Sequence, residues 1–167
     1  MTVEPGTGPG QTAVPTAVQV DPVPPEMLAL TPLTEPDYVD VFTLRGGIPE
    51  RTPEEWARVM IDKVAGLGGQ FIWRVLLGLR LQSAPDRVGG WALAARGADH
   101  VRLEAKSPLM TAHLVVRADA ERVTLATVIR YDSRPAALVW GSLSAVHRAL
   151  VPGLMRDAAA VRWRREA

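Results

Sequence analysis

Residues 100–131 read HVRLEAKSPLMTAHLVVRADAERVTLATVIRY, and this stretch decides the fold class. From His100 to Lys106 the alternation is strict. Val101, Leu103 and Ala105 share one face; His100, Arg102, Glu104 and Lys106 share the other. A period of two is the signature of a strand with one face buried. Ser107-Pro108 turns the chain. Met110 to Arg117 and Arg122 to Tyr131 follow as two further β-rich runs around Asp119-Ala120-Glu121. Loops this short join antiparallel neighbours, so the stretch predicts an antiparallel meander.

On the C-terminal side, Arg134-Pro135 opens a long helix predicted to reach about Val161. Val139, Leu143, Val146, Leu150 and Leu154 recur at helical spacing and form one apolar stripe. Pro152 removes a helical hydrogen bond, which predicts a kink that Gly153 eases. On the N-terminal side, Gly90 to Arg96 is another strand, with Trp91, Leu93 and Ala95 on one face. Before it lie two short helices. Thr52-Pro53-Glu54-Glu55 is a capping box with proline at the first helical position, and Trp56, Val59, Met60, Lys63 and Val64 follow. Gly66, Gly68 and Gly69 break that helix. A second runs from about Gln70 to Leu79, with Ile72, Val75, Leu76 and Leu79 on one side. The first strand, Asp37 to Leu44, puts Tyr38, Asp40, Phe42 and Leu44 on one face and Val39, Val41 and Thr43 on the other.

Residues 1–26 are rich in Pro, Gly, Thr and Val and hold neither period. Ordering such a segment costs roughly 1–2 kcal/mol per residue in backbone entropy, so a disordered leader is predicted there. The expected organisation is a leader at 1–26 and a single α+β domain at 35–162.

Bulk composition narrows the function. With 167 residues and a hydrophobic fraction of 47% the chain can bury one core. Nineteen Lys and Arg against 18 Asp and Glu give a net charge of +1, which argues against nucleic acid as a partner. Cysteine is absent, which excludes disulfides, thiolate metal sites and cysteine nucleophiles and fits a cytoplasmic location. The N-terminus lacks the basic start and apolar core of a signal peptide. The longest apolar run, about Val64 to Leu81, is interrupted by Gln70, Arg74 and Arg80 and reads as an amphipathic helix, not an integral membrane span.

The order of strand, two short helices, antiparallel sheet and long helix resembles the START-like superfamily, also called SRPBCC or helix-grip. Closer still, the chain resembles a bacterial domain-of-unknown-function family placed in that superfamily. The residues that carry this are Asp37-Tyr38-Val39-Asp40, Gly68-Gly69-Gln70-Phe71-Ile72-Trp73-Arg74, Thr111-Ala112-His113-Leu114, His147-Arg148 and Val151-Pro152-Gly153-Leu154, over about residues 35 to 160. The resemblance implies a curved sheet wrapped on the C-terminal helix, with a cavity between them for a small apolar ligand. The sequence supplies about five strands where six or seven are usual, and a further one would have to lie near Leu28 to Thr34.

No catalytic motif accompanies this fold. His100, His113 and His147 are far apart and lack HExxH spacing, so neither a metal nor another cofactor is expected. His113 and His147 are the candidate acid–base pair if both face the cavity; the alternative is a hydrogen-bonded structural histidine on each element. Trp73, Trp91 and Trp140 join them as candidate ligand-lining residues, because amphipathic rings line apolar pockets as readily as they fill cores. Ligand binding, a cyclase-, isomerase- or hydratase-type activity in the same cavity, and protein interaction all remain open. The tail Arg162-Trp163-Arg164-Arg165 reads as a solvated helix end.

Overall fold

The computed structural model describes residues 13–162, apart from the side chains of Phe71 and Val75. The first twelve residues of the expected leader and the tail from Trp163 lie outside the described residues. The fold is α+β: one seven-stranded antiparallel sheet and a long C-terminal helix. The strands are β1 (Thr16–Gln19), β2 (Tyr38–Arg45), β3 (Arg87–Val88), β4 (Trp91–Arg96), β5 (His100–Lys106), β6 (Met110–Ala118) and β7 (Arg122–Tyr131). Their order across the sheet is β1-β2-β7-β6-β5-β4-β3. The helices are α1 (Pro25–Leu28), α2 (Pro53–Arg58), α3 (Gly66–Phe71) and α4 (Arg134–Ala160), with π-helical turns at Val59–Ala65 and Ile72–Leu76.

The predicted meander is present. β5, β6 and β7 pair in register, with Glu104 opposite His113 and His113 opposite Val128. The capping box also forms: Thr52 Oγ1 accepts from the Glu55 N–H at 3.2 Å, and the Glu55 carboxylate accepts from the Thr52 N–H at 2.8 Å.

The sheet has an inner face, under α2 and α4, and an outer face. Phe42, Leu44, Leu103, Met110, Leu125 and Ile129 point inward and pack with Trp56, Met60, Trp140 and Met155. α2 crosses β5 and β6, whereas α4 lies against β1, β2, β7 and the turn at Val59–Ala65. The C-terminus of α4 is tied down by Arg51. Its guanidinium donates to the Ala158 carbonyl at 2.7 Å and to the Val161 carbonyl, and sits 4.8 Å from the centre of the Trp56 ring. A cation on the last carbonyls satisfies acceptors that a helix end otherwise leaves open.

The outer face brings a correction. Residues 13–26, expected to be unstructured, form β1 and enter α1. β1 pairs with β2, from Thr16 opposite Arg45 to Gln19 opposite Phe42. Met27 then packs on Val41, Val115 and Ala126 as a second, smaller core, flanked by Val20, Val23 and Leu30. Val20, Val23 and Met27 of this proline-rich segment thus cover the outer face, where Val41 and Val115 would otherwise meet water. No strand forms at Leu28–Thr34; the segment passes over the sheet. The two unforeseen strands are β1 and the short β3.

β3 and β4 form a hairpin through Gly89-Gly90, both at positive φ (56° and 88°), the two-residue turn that glycine permits. A Cβ on Gly89 would lie 2.2 Å from an Ile61 methyl. The same turn is held by Asp62, which accepts from the Gly89 N–H at 2.6 Å, and by Gln70, which donates to the Gly89 carbonyl at 2.8 Å.

The helix stripe also needs correction. α4 buries Ala136, Trp140, Ser144, Val151, Met155 and Ala158. Val139, Leu143 and Leu154 are only partly buried against that core, and Val146 and Leu150 are 48% and 57% exposed, with Leu138 at 76%. The sequence stripe touches the packed face at Val139, Leu143 and Leu154 and leaves it at Val146 and Leu150. The central ridge includes Ala, Ser and His, which hydropathy passes over. Helical structure continues through Pro152.

Candidate functional site

Asp40 is 1% exposed in the middle of β2. Its neighbours on the inner face are Tyr38 and Phe42, and opposite it on β7 stands Thr127. Above this pair α4 delivers His147. The imidazole Nε2 lies 3.1 Å from Asp40 Oδ2 and 3.2 Å from Thr127 Oγ1. The Tyr38 hydroxyl donates to the same Asp40 oxygen at 2.5 Å. Trp140 completes the group, edge-on to Tyr38 at 5.2 Å and tilted against His147 at 5.3 Å between ring centroids.

The electrostatics are lopsided. Asp40 Oδ2 takes both the Tyr38 hydrogen bond and the His147 contact, while buried Oδ1 has no hydrogen-bond partner among the described residues, and neither has the buried Trp140 indole nitrogen. Burying an unsatisfied polar atom costs about 1–3 kcal/mol. A strand built for stability alone would place an apolar residue at position 40. Burial, reinforced by the adjacent Asp40 carboxylate, pushes the Tyr38 hydroxyl well above the usual phenol range, with Arg148 opposing the shift.

That shift has a testable sign. A phenol that is harder to ionise in the folded chain contributes stability fully present below its ordinary value of 10.0 and lost as pH rises beyond it. Tyr131, the second tyrosine, is shifted the same way by burial. Near-ultraviolet absorbance should therefore show less phenolate in the folded than in the unfolded chain at about pH 10, and Tyr38→Phe should flatten the alkaline fall in stability. Phenolate appearing at the ordinary pH with the fold intact would refute the burial argument.

The other sequence candidates fall elsewhere. His113 is 4% exposed but lies on the outer face. The sheet therefore separates it from His147, and the two cannot act on one substrate atom. The Thr31 hydroxyl, 2.6 Å from His113 Nδ1, ties the N-terminal segment to it. Thr31 Oγ1 also accepts from the Leu33 N–H at 3.2 Å. The other ring nitrogen of His113, Nε2, lies 3.6 Å from the Glu104 carboxylate. Burial lowers the proton affinity of His113, with Glu104 partly offsetting it. Trp73 and Trp91 meet edge-on at 5.7 Å near the β3–β4 hairpin, and the buried Trp91 indole nitrogen also lacks a hydrogen-bond partner among the described residues.

Of the five candidates, the structure brings Trp140 to His147 beside Asp40 and Trp73 to Trp91 at the hairpin, and leaves His113 apart on the outer face. Sequence reading missed Asp40, Tyr38 and Thr127. The signal was available, since Asp40 is the charged residue on a face otherwise made of Tyr38, Phe42 and Leu44.

No family model, curated protein or solved structure matches this chain. Its function must be argued from its own geometry. Among the described residues no group of three or more His, Cys, Asp or Glu could hold a metal ion, and no helix is long and apolar enough to cross a membrane.

Proposed function

We propose that this chain is a helix-grip domain of the START-like kind that binds a small, mostly apolar molecule between the inner sheet face and α4, with Asp40 as its polar anchor. The observation that carries the reading is the buried Asp40 carboxylate, with one oxygen gripped by Tyr38 and His147 and the other without a partner. Apolar surroundings with a few convergent polar groups are the usual make-up of a small-molecule site. A hydroxyl or amide on the ligand would supply a donor to Asp40 Oδ1 and an acceptor to the Trp140 N–H.

Native mass spectrometry of the full chain, followed by release and identification of any adduct, is the test. A reproducible stoichiometric adduct is expected. Asp40→Asn and Trp140→Phe should each weaken it by about tenfold or more, the value of a hydrogen bond to a charged or buried group. A bare mass with no thermal shift against apolar compounds would end this reading, and so would an adduct indifferent to both substitutions.

A second reading is an isomerase-, cyclase- or hydratase-type enzyme in the same place. It rests on His147, whose side chain is 22% exposed while its Nε2 contacts the 1%-exposed Asp40. A carboxylate at this distance orients the imidazole. His147→Gln would then abolish turnover of the identified ligand while sparing its binding.

A further inference from the structure

The outer face carries an opening of about 460 Å³, on the side of the sheet opposite Asp40. Its floor follows from strand register. Arg87, Ala92, Glu104 and His113 stand side by side across β3, β4, β5 and β6, and Lys106, Thr111 and Arg130 stand side by side across β5, β6 and β7. The strand-edge segment that follows the second π-helical turn brings Arg80 alongside, its N–H donating to the Lys106 carbonyl at 2.9 Å. The opposite wall is Pro32-Leu33, held over the sheet by Thr31 on His113 and by Arg102, which donates to the Leu30 carbonyl at 3.2 Å.

The charges do not balance. Four cations, Arg80, Arg87, Lys106 and Arg130, line the opening with one carboxylate, Glu104. Glu104 is already engaged by Arg102 at 2.8 Å, and Arg130 by Asp132 at 3.1 Å. Arg80, Arg87 and Lys106 have no carboxylate partner among the described residues. In a chain whose net charge is +1, three unpaired cations around one concavity form a local excess. Such a concentration attracts an anion and is weakly screened when the floor is buried. Thr111 and His113 on that floor are 5% and 4% exposed. Arginine offers a planar fork and lysine a point charge, a combination that suits phosphate oxygens. The volume exceeds what a bare phosphate needs and lies in the range of small-molecule sites, while Pro32, Leu33 and Ala92 supply an apolar wall.

We propose that this outer groove binds a soluble organic phosphate, its phosphoryl group held by Arg80, Arg87 and Lys106 and its organic part against Pro32 and Leu33. The assignment is independent of the inner-face site. A ligand here would bridge the N-terminal segment and the sheet edge.

Phenyl phosphate titrated into the full chain by calorimetry at low salt is the probe, with phenol and sodium sulfate as comparisons. Saturable binding of phenyl phosphate is expected, weakened by added salt. The exposed pair Arg80→Gln/Lys106→Gln should weaken it by about tenfold or more, whereas Arg45→Gln at the other end of the sheet should not. Absence of phenyl phosphate binding would overturn the proposal. So would equal affinity in the Arg80/Lys106 double variant, equal affinity for phenol, or equal affinity for sulfate, which would reduce the groove to unspecific charge attraction.

Discussion

A chain beginning at Glu35 is expected to lose about 3 kcal/mol or more of folding stability and to melt about 10 °C lower than the full chain. The reason is the second core. Removing the segment deletes Met27, 3% exposed, and strips cover from Val41, Val115 and Ala126, which are 0–1% exposed. Burying each of the larger three side chains is worth about 1.5–3 kcal/mol. Part of that gross sum is returned, because the deleted residues no longer have to be ordered. The truncation also removes the β1–β2 ladder and the Thr31 hydroxyl from His113. Urea unfolding of both chains checks this. A matched midpoint and slope would show that the segment is a passenger. A lower midpoint with smaller slope would show that the area exposed on unfolding has shrunk with it.

The largest single-residue loss is expected at Trp56. Trp56→Ala should cost about 4 kcal/mol, within the usual range for emptying a buried aromatic site. Trp56 is 1% exposed. It also forms the platform for Arg51, whose guanidinium closes the end of α4. Loss of the ring therefore loosens a helix end nearly the whole domain away in sequence. Arg51→Met keeps most of the side-chain volume and should cost about 1–2 kcal/mol through the lost hydrogen bonds. In the double variant the two losses should fall short of their sum, because both act through one contact. Strict additivity in chemical denaturation would show that the cation and the ring work separately.

Much of the architecture was legible because one face of each strand is distinct. β5 alternates cleanly, and its bounds, His100 to Lys106, are those seen. β7 likewise runs from Arg122 to Tyr131. α2 declared itself through Thr52, Pro53 and Glu55. What escaped did so for physical reasons. β1 lies in a segment whose prolines and glycines lack periodicity, because its partner is a sheet edge and not a repeating surface. β6 is buried on both faces from Met110 to Val116, so its alternation carries no polarity and His113 could not be assigned a side by pattern alone. On α4 the buried ridge runs through Ala136, Ser144 and Ala158, residues too small or too polar to register as a stripe. The Tyr38–Asp40–Thr127–His147 cluster joins β2, β7 and α4, and only pairing register brings Asp40 opposite Thr127.

The N-terminal segment also sets an order of events during synthesis. It leaves the ribosome first, yet Val115 and Ala126, on which Met27 rests, are made about a hundred residues later. At roughly 5–20 residues per second that delay is on the order of 5–20 seconds. Throughout it, Val20, Val23 and Met27 lack the core on which they pack. Pro15, Pro22, Pro24 and Pro25 interleave with them, and proline denies a nascent apolar strand the backbone donors that intermolecular pairing requires. The composition that hides this segment's structure from pattern reading also keeps it soluble until its sheet exists.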